Sequence, residues 1–209
     1  LDIMVPFLAQ IRDETGVTLS DLNLGGGYGV RYTAEDEAID IPARLAELAA
    51  YLKEKTERLG LPMPRFLMEP GRSIVADAGM TLYTVGSVKR IPGYKQYAAV
   101  DGGMTDNPRY ALYQSRYTVY HAHKSGSMER FDVVGRCCES GDIIQPGVEL
   151  PGDTCRGDIL AVCTTGAYNY SMASNYNRLP RPAVVMLTPD RIYEAVRRET
   201  FADLTGLDL

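Results

Sequence analysis

Leu22-Asn23-Leu24-Gly25-Gly26-Gly27 decides how the first part of the chain folds, because a short apolar strand runs directly into three glycines. A second stretch, Phe66-Leu67-Met68-Glu69-Pro70-Gly71-Arg72, repeats this arrangement of an apolar strand followed by turn residues. Between the two, apolar residues recur at helical spacing from Ile41 to Leu59, after Asp40 and before Gly60. The order strand, helix, strand predicts parallel strands joined by a crossover helix.

The pattern changes near residue 80. Five runs read as strands separated by Gly, Pro, Asn and Asp, namely 81–85, 97–100, 117–120, 131–134 and 159–162. Only residues 104–113 suggest a helix there. Two β/α units cannot close a (β/α)8 barrel, which takes roughly 250 residues. If the first part is barrel material, it supplies the last two strands.

Composition narrows the class of partner. The net charge of −5 and the pI of about 5.1 argue against nucleic acid or an anionic membrane as partner. No signal peptide is visible, and no apolar run approaches the roughly 18 residues of a membrane span. The four cysteines, Cys137, Cys138, Cys155 and Cys163, have no metal-ligand or disulfide spacing, so we expect reduced thiols in a cytosolic protein without a metal site.

The two strand ends carry candidate ligand-binding groups. Successive glycines such as Gly26 and Gly27 can expose backbone N–H groups to an anion, although the glycines taken alone favour a plain tight turn without a ligand. In the segment Glu69-Pro70-Gly71-Arg72, Arg72 could clamp a carboxylate or phosphate and Glu69 could contact the ring nitrogen of a cofactor. The alternative is a Glu–Arg pair at a surface turn.

Further candidates lie in the β-rich part. In Cys138-Glu139-Ser140-Gly141-Asp142, Cys138 could donate a proton, Glu139 could recognise an ammonium group, and Asp142 could orient the loop. A free cysteine is more often simply a small buried apolar residue. Tyr168, after Gly166-Ala167, could present its hydroxyl to a phosphate or substrate, and Arg109 and Tyr113 share a face if their segment is helical. Packing or solvated surface roles are the alternatives for these three residues.

In order and approximate spacing, these motifs resemble those of the pyridoxal 5'-phosphate (PLP)-dependent decarboxylases of the alanine-racemase fold. The motifs are Gly25-Gly26-Gly27-Tyr28-Gly29, Glu69-Pro70-Gly71-Arg72, Asp106-Asn107-Pro108-Arg109, Cys138-Glu139-Ser140-Gly141-Asp142 and Gly166-Ala167-Tyr168. Glu139 directly after the cysteine is more similar to the diaminopimelate enzymes than to the ornithine or arginine branches. The resemblance implies an α/β plus all-β chain: residues 1–79 are the last strands of a PLP-binding (β/α)8 barrel, and residues 80–209 are a β-sandwich or barrel-like domain.

The resemblance also implies a role for each candidate residue. Cofactor-binding residues are Gly26, Gly27, Glu69, Pro70, Gly71, Arg72 and Tyr168, and substrate-binding residues are Arg72, Arg109, Tyr113, Glu139 and Tyr168. Cys138 is the implied catalytic residue, and with Glu139 it reaches the site of the neighbouring subunit in a cytoplasmic homodimer with shared active sites. The implied reaction is decarboxylation of meso-2,6-diaminoheptanedioate to L-lysine and CO2, and Glu139 is implied to recognise the distal ammonium group of the substrate.

One element of the family pattern has no counterpart here. None of the lysines stands in the context of the Schiff-base lysine, and neither histidine matches the ring-stacking position. Since the chain also starts inside a helical pattern, we expect it to be the C-terminal portion of a longer enzyme and inactive alone. Two other functions stay open: a related decarboxylase of ornithine, arginine, lysine or a carrier-linked amino acid, and a non-catalytic dimerisation or regulatory module.

Overall fold

The computed structural model describes residues 1–209, which divide into two compact units. The first unit contains residues 1–31 and 35–75, and the second contains residues 32–34 and 76–209. No helix of the chain combines the length and apolar composition that crossing a membrane requires.

The first unit is a β–α–β arrangement preceded by a helix. Its elements are α1 (Met4–Thr15), β1 (Asp21–Asn23), α2 (Ile41–Arg58), β2 (Arg65–Leu67) and α3 (Arg72–Val75). Strands β1 and β2 pair in parallel with Asn23 opposite Leu67, so their carboxyl ends lie side by side. Asp40 caps α2 by accepting the N–H of Ala43 at 3.0 Å, and Gly60 follows the helix with a φ of +62°. The predicted crossover between parallel strands is confirmed.

The second unit is built on one six-stranded sheet of order β5-β8-β3-β4-β6-β7. Its elements in chain order are β3 (Met80–Ile91), β4 (Lys95–Val100), α4 (Arg109–Tyr113), β5 (Val119–His121), β6 (Met128–Val134), β7 (Ile143–Pro151), β8 (Ile159–Cys163), α5 (Asn169–Met172), a 3₁₀ turn (Tyr176–Arg178), β9 (Val184–Leu187), β10 (Ile192–Val196) and α6 (Phe201–Thr205). Strands β9 and β10 form a separate antiparallel pair.

The six-stranded sheet curls until its edges approach each other. Tyr117, just before the edge strand β5, donates its N–H to Gln145 Oε1 of the other edge strand, β7, at 2.8 Å. The interior is filled by apolar side chains from every strand, including Val85, Phe131 and Ile144, which are fully buried. The barrel-like form expected for this part is therefore confirmed, whereas the sandwich alternative is not what forms. Membership of the first unit in a (β/α)8 barrel stays a prediction.

Several local predictions were incomplete. Strand β7 was missed because Gln145-Pro146-Gly147 resembles a turn, whereas it lies where the β6–β7 pairing shifts register, with Gly147 at a φ of +68°. The strand predicted at 117–120 forms at Val119–His121, and the helix predicted over 104–113 is confined to Arg109–Tyr113. Residues 103–107 instead form a turn in which Gly103 O accepts the N–H groups of Asp106 and Asn107.

Candidate active site

The glycines after β1 pack closely against the segment after β2. A Cβ atom at Gly26 would overlap the carbonyl oxygen of Glu69, so this position admits only glycine without displacement of the backbone. Gly25 and Gly27 have φ values of +71° and +111°, which side-chain-bearing residues rarely adopt. The N–H of Glu69 donates to Gly25 O at 2.7 Å, and this bond fixes the two strand ends to each other.

Asn23, the last residue of β1, connects the candidate cofactor residues. Its Nδ2 donates to Glu69 Oε1 at 2.6 Å, and its Oδ1 accepts the N–H of Gly25 at 2.8 Å. One amide therefore orients the Glu69 carboxylate and the glycine turn together. Asn23 was not among the predicted site residues, although an asparagine directly before three glycines at a strand end could have indicated it.

The backbone donors of this turn suit an anion. No hydrogen bond within the chain uses the N–H of Gly26 or Gly27, and both residues are exposed. Pro70 and Gly71 form the turn that leads into α3, where Gly71 O accepts the N–H of Ile74 at 3.1 Å. Arg72, half-buried, is the first residue of α3.

In the second unit, Arg109 lies between two aromatic rings. Its Cζ is 5.3 Å from the centre of the Tyr113 ring and 5.7 Å from that of Tyr168. The residue is only 6% exposed, yet no carboxylate pairs with it, and its Nε has no hydrogen-bond partner. Its Nη2 donates a hydrogen bond to Ser115 Oγ at 3.4 Å. A buried, unpaired guanidinium is costly unless an anion compensates it.

Two further buried polar residues of the second unit, Tyr117 and Asn169, bond to each other. The hydroxyl of Tyr117 donates to Asn169 Oδ1 at 3.5 Å, and burial raises the pKa of Tyr117. Asn169 is the first residue of α5, directly after Tyr168, whose φ of +69° is unusual for a tyrosine. The Nδ2 of Asn169, although buried, has no partner. Neither Tyr117 nor Asn169 was predicted as a site residue, since nothing in their local sequence distinguishes them.

The loop between β6 and β7 carries the cysteine pair and Glu139. Cys138 and Glu139 are exposed, whereas Cys137 is half-buried. Burial, together with the charge of Asp142, raises the pKa of Cys137 to about 11. Glu139 Oε2 accepts the hydroxyl proton of Tyr176 at 3.4 Å, and the Glu139 charge raises the pKa of that tyrosine.

These predicted residues therefore fall into three groups. Gly26, Gly27 and Glu69 are adjacent in the first unit. In the second unit, Tyr113 and Tyr168 each contact Arg109, and Cys138 and Glu139 share one exposed loop. No group of three or more His, Cys, Asp or Glu side chains is arranged to hold a metal ion.

Comparison with known families identifies the class of protein that carries a barrel-like sheet of this kind. Residues 17–166 match the model of the pyridoxal-dependent decarboxylase C-terminal sheet domain. The chain belongs to this family of decarboxylases.

Individual relatives are more specific. The chain is 48% identical to the diaminopimelate decarboxylase of Bacillus subtilis over 97% of its own length and 46% of that protein's. It superposes on a crystal structure described as diaminopimelate decarboxylase from m. jannaschii in co-complex with L-lysine, with a TM-score of 0.87 and 32% identity, covering 98% of this chain and 46% of the other. A lysine/ornithine decarboxylase from Vibrio vulnificus complexed with cadaverine is less similar, with a TM-score of 0.71, 26% identity and coverage of 83% and 45%. The chain thus spans about half the length of the relatives it matches.

Proposed function

We propose that this chain is part of an enzyme that decarboxylates meso-2,6-diaminoheptanedioate to L-lysine and CO2. The observation that carries the proposal is Arg109, a buried guanidinium with no carboxylate partner, held between the rings of Tyr113 and Tyr168. An anionic substrate group would supply the missing charge. Similarity to diaminopimelate decarboxylases over 97% of the chain supports this choice of substrate.

The first unit offers groups that fit a PLP cofactor. Two glycine N–H groups without internal partners suit a phosphate, and a side chain at Gly26 would disrupt the turn that presents them. Glu69, oriented by Asn23, is suited to the ring nitrogen, while Pro70 and Gly71 shape the turn and Arg72 supplies a further polar group. The cofactor contact of Tyr168, which lies in the second unit, stays a prediction. When bound, PLP supplies the electron sink that lets CO2 leave the α-carbon.

The second unit would hold the end of the substrate that does not react. In this proposal Arg109 and Tyr113 bind the distal carboxylate and Glu139 binds the distal ammonium, while the substrate contact of Arg72 stays a prediction. Fixing this end selects which carboxylate is lost, because binding far from the reacting atoms orients the bond that breaks. Cys138 donates the proton that replaces CO2. The proposal includes a cytoplasmic homodimer in which Cys138 and Glu139 serve the neighbouring subunit's site.

A related decarboxylase of another amino acid is the second candidate. The structural similarity to the lysine/ornithine decarboxylase supports this candidate. The buried cation Arg109 argues against it, because the distal end of a substrate such as ornithine carries only an ammonium group and offers no anion for Arg109 to bind. A non-catalytic module is disfavoured because the cation, the phosphate-type turn and the acidic loop all remain in place.

Genetic complementation tests the proposal. The full-length gene should restore growth without added lysine to a bacterial strain that lacks diaminopimelate decarboxylase, and Arg109→Met should weaken the rescue at equal protein level. Failure of the wild-type gene, with the protein soluble and carrying PLP, would rule out this substrate.

We further propose that the 209 residues alone are inactive, because none of their lysines matches the Schiff-base lysine of the family. The purified chain should release no CO2 from meso-2,6-diaminoheptanedioate with added PLP. Its absorbance with PLP should show non-covalent binding only, and any turnover would contradict this.

A further inference from the structure

Asp142 lies at the junction of two loops of the second unit. It is 4% exposed, although it is a carboxylate in a loop. Its Oδ1 accepts the N–H of Met104 at 2.6 Å, and its Oδ2 accepts the N–H of Cys137 at 2.6 Å. Short bonds from two backbone donors to a buried carboxylate are strong and directional. Each oxygen is therefore committed to a different loop.

The first of these loops leads into the helix that carries Arg109. Met104 begins the turn in which Gly103 O accepts the N–H groups of Asp106 and Asn107, and α4 starts directly after it. Asp106 reinforces the turn by accepting the N–H of Gly103 at 2.9 Å and the hydroxyl proton of Tyr83. The position of Met104 thus constrains where α4, and with it Arg109, begins.

The second loop closes on Asp142 from both sides. Gly135 donates its N–H to the Asp142 carbonyl at 2.8 Å, and the Asp142 N–H donates to Glu139 O at 3.1 Å. Together with the side-chain bond to Cys137, these contacts fix the backbone on either side of Cys138 and Glu139.

Two glycines make room for this carboxylate. A Cβ atom at either Gly103 or Gly135 would overlap the Asp142 side chain. By contrast, a Cβ at Gly141, in the same loop, meets no atom within 4 Å. Asp142 therefore lies in a space formed by both loops. Gly103 and Gly135 leave this space free for its carboxylate because they have no side chain.

We propose that Asp142 is the positioning residue that sets where both substrate-binding loops lie, the one leading to Arg109 and the one carrying Cys138 and Glu139. The inference rests on the proposed function, which assigns Arg109 and Glu139 to the distal end of the substrate. Because Glu139 serves the neighbouring subunit in the proposed dimer, each Asp142 contributes to the geometry of two active sites.

L-Lysine is the probe that separates positioning from chemistry. Loss of CO2 from meso-2,6-diaminoheptanedioate leaves the distal carboxylate and ammonium unchanged in L-lysine, so its affinity reports on the distal subsite, and a separate PLP titration monitors the cofactor end. In the full-length enzyme with PLP, Asp142→Asn presents an N–H group to one of the two backbone N–H donors and releases that loop. We expect its Kd for L-lysine and its KM to rise by at least about tenfold, since a displacement of about 1 Å can cost on the order of 100-fold. The affinity for PLP should not change.

Two controls separate positioning from general stability. Asp132 is also a buried carboxylate that accepts a backbone N–H, from Gly147 at 2.8 Å, and it pairs with Lys95, but it touches neither loop. Asp132→Asn should lower the melting temperature and leave the L-lysine Kd unchanged. If Asp142→Asn does not fold, Gly135→Ala displaces the carboxylate without removing it and should weaken L-lysine binding, whereas Gly141→Ala should not.

The outcomes are distinct. Normal L-lysine affinity in folded Asp142→Asn or Gly135→Ala enzyme would overturn the positioning role while leaving the proposed function intact. A wild-type enzyme that binds PLP but not L-lysine would overturn both. Weakened binding in these two variants, with Asp132→Asn and Gly141→Ala unaffected, would support the role.

Discussion

The guanidinium of Arg109 lies 5.7 Å from the centre of the Tyr168 ring, and Arg109 is buried although the tyrosine is exposed. Tyr168 reaches this position through a left-handed backbone conformation. No carboxylate of the chain forms an ion pair with the buried Arg109. The contacts with the two tyrosine rings leave the Nε–H donor of Arg109 without a hydrogen-bond partner. This geometry favours a ligand anion over a structural ion pair.

Arg109→Met should separate binding from stability. Removing a buried cation without an acidic partner is expected to change the free energy of unfolding by less than about 1 kcal/mol, because lost contacts with the rings are offset by lost desolvation. The KM should rise at least about tenfold, with a smaller effect on kcat. Chemical denaturation and steady-state kinetics measure the two effects. Arg116→Met, at an exposed neighbouring arginine, is the matched control. A large stability loss with unchanged KM would assign Arg109 a structural role.

Glu139→Gln should selectively harm turnover of meso-2,6-diaminoheptanedioate, since an amide attracts the distal ammonium less strongly than a carboxylate does. The same substitution should lower the pKa of Tyr176, because the Glu139 charge disfavours tyrosinate. Substrate kinetics and the ultraviolet titration of tyrosine measure these effects. Glu149→Gln, on an exposed position of β7, should change neither. An unchanged substrate preference in Glu139→Gln would count against ammonium recognition.

Cys137 should make stability depend on alkaline pH. Burial and the Asp142 charge raise its folded-state pKa from 9.0 to about 11, so the folded state retains the thiol proton where the unfolded state loses it. The contribution of Cys137 to the free energy of unfolding is therefore complete below about pH 9 and lost as the pH rises through about 11. Denaturation at a series of pH values should show a shallower decline in Cys137→Ser. Identical slopes in the two proteins would show that Cys137 titrates alike in both states.

Asp142→Asn should also make Cys137 easier to alkylate at moderately alkaline pH, because removing the neighbouring negative charge lowers the thiol pKa. Mass spectrometry of alkylated peptides gives the rate, and labelling of the exposed Cys155 verifies the reagent in each sample. Equal rates in the variant and the wild type would mean that burial alone sets the pKa of Cys137.

Gly26→Ala should weaken PLP binding. The added methyl group would overlap the carbonyl of Glu69, so the turn must open and its N–H groups must turn away from the phosphate. A cost of about 1–3 kcal/mol in stability is typical of such overpacking, and the PLP affinity should fall with it. At Gly29 a Cβ would meet only Ile39 Cδ1, at 3.6 Å, so Gly29→Ala is the matched control. PLP titration and thermal unfolding measure both effects, and equal behaviour of the two variants would contradict the phosphate role.

The sequence predicted what depends on short-range pattern. Apolar spacing identified α2 with its Asp40 cap and Gly60 terminus, and the glycines after β1 marked a turn, in which the structure gives Gly25 and Gly27 positive φ values. It did not predict β7, because Pro146 and Gly147 are turn residues that the edge of a curled sheet tolerates at a register shift. Nor did it predict the partners that give each site residue its environment. Asn23 beside Glu69 and Asn169 beside Tyr117 depend on contacts between segments distant along the chain.

The most direct test of the account is a substrate panel on the full-length protein with PLP. Equal concentrations of meso-2,6-diaminoheptanedioate, ornithine, arginine and lysine should be supplied separately, and CO2 release and the amine product measured. The account predicts CO2 and L-lysine from meso-2,6-diaminoheptanedioate, and turnover of the other three lower by at least about 100-fold, since they lack the distal carboxylate that Arg109 binds. Comparable or faster turnover of ornithine, arginine or lysine would contradict it.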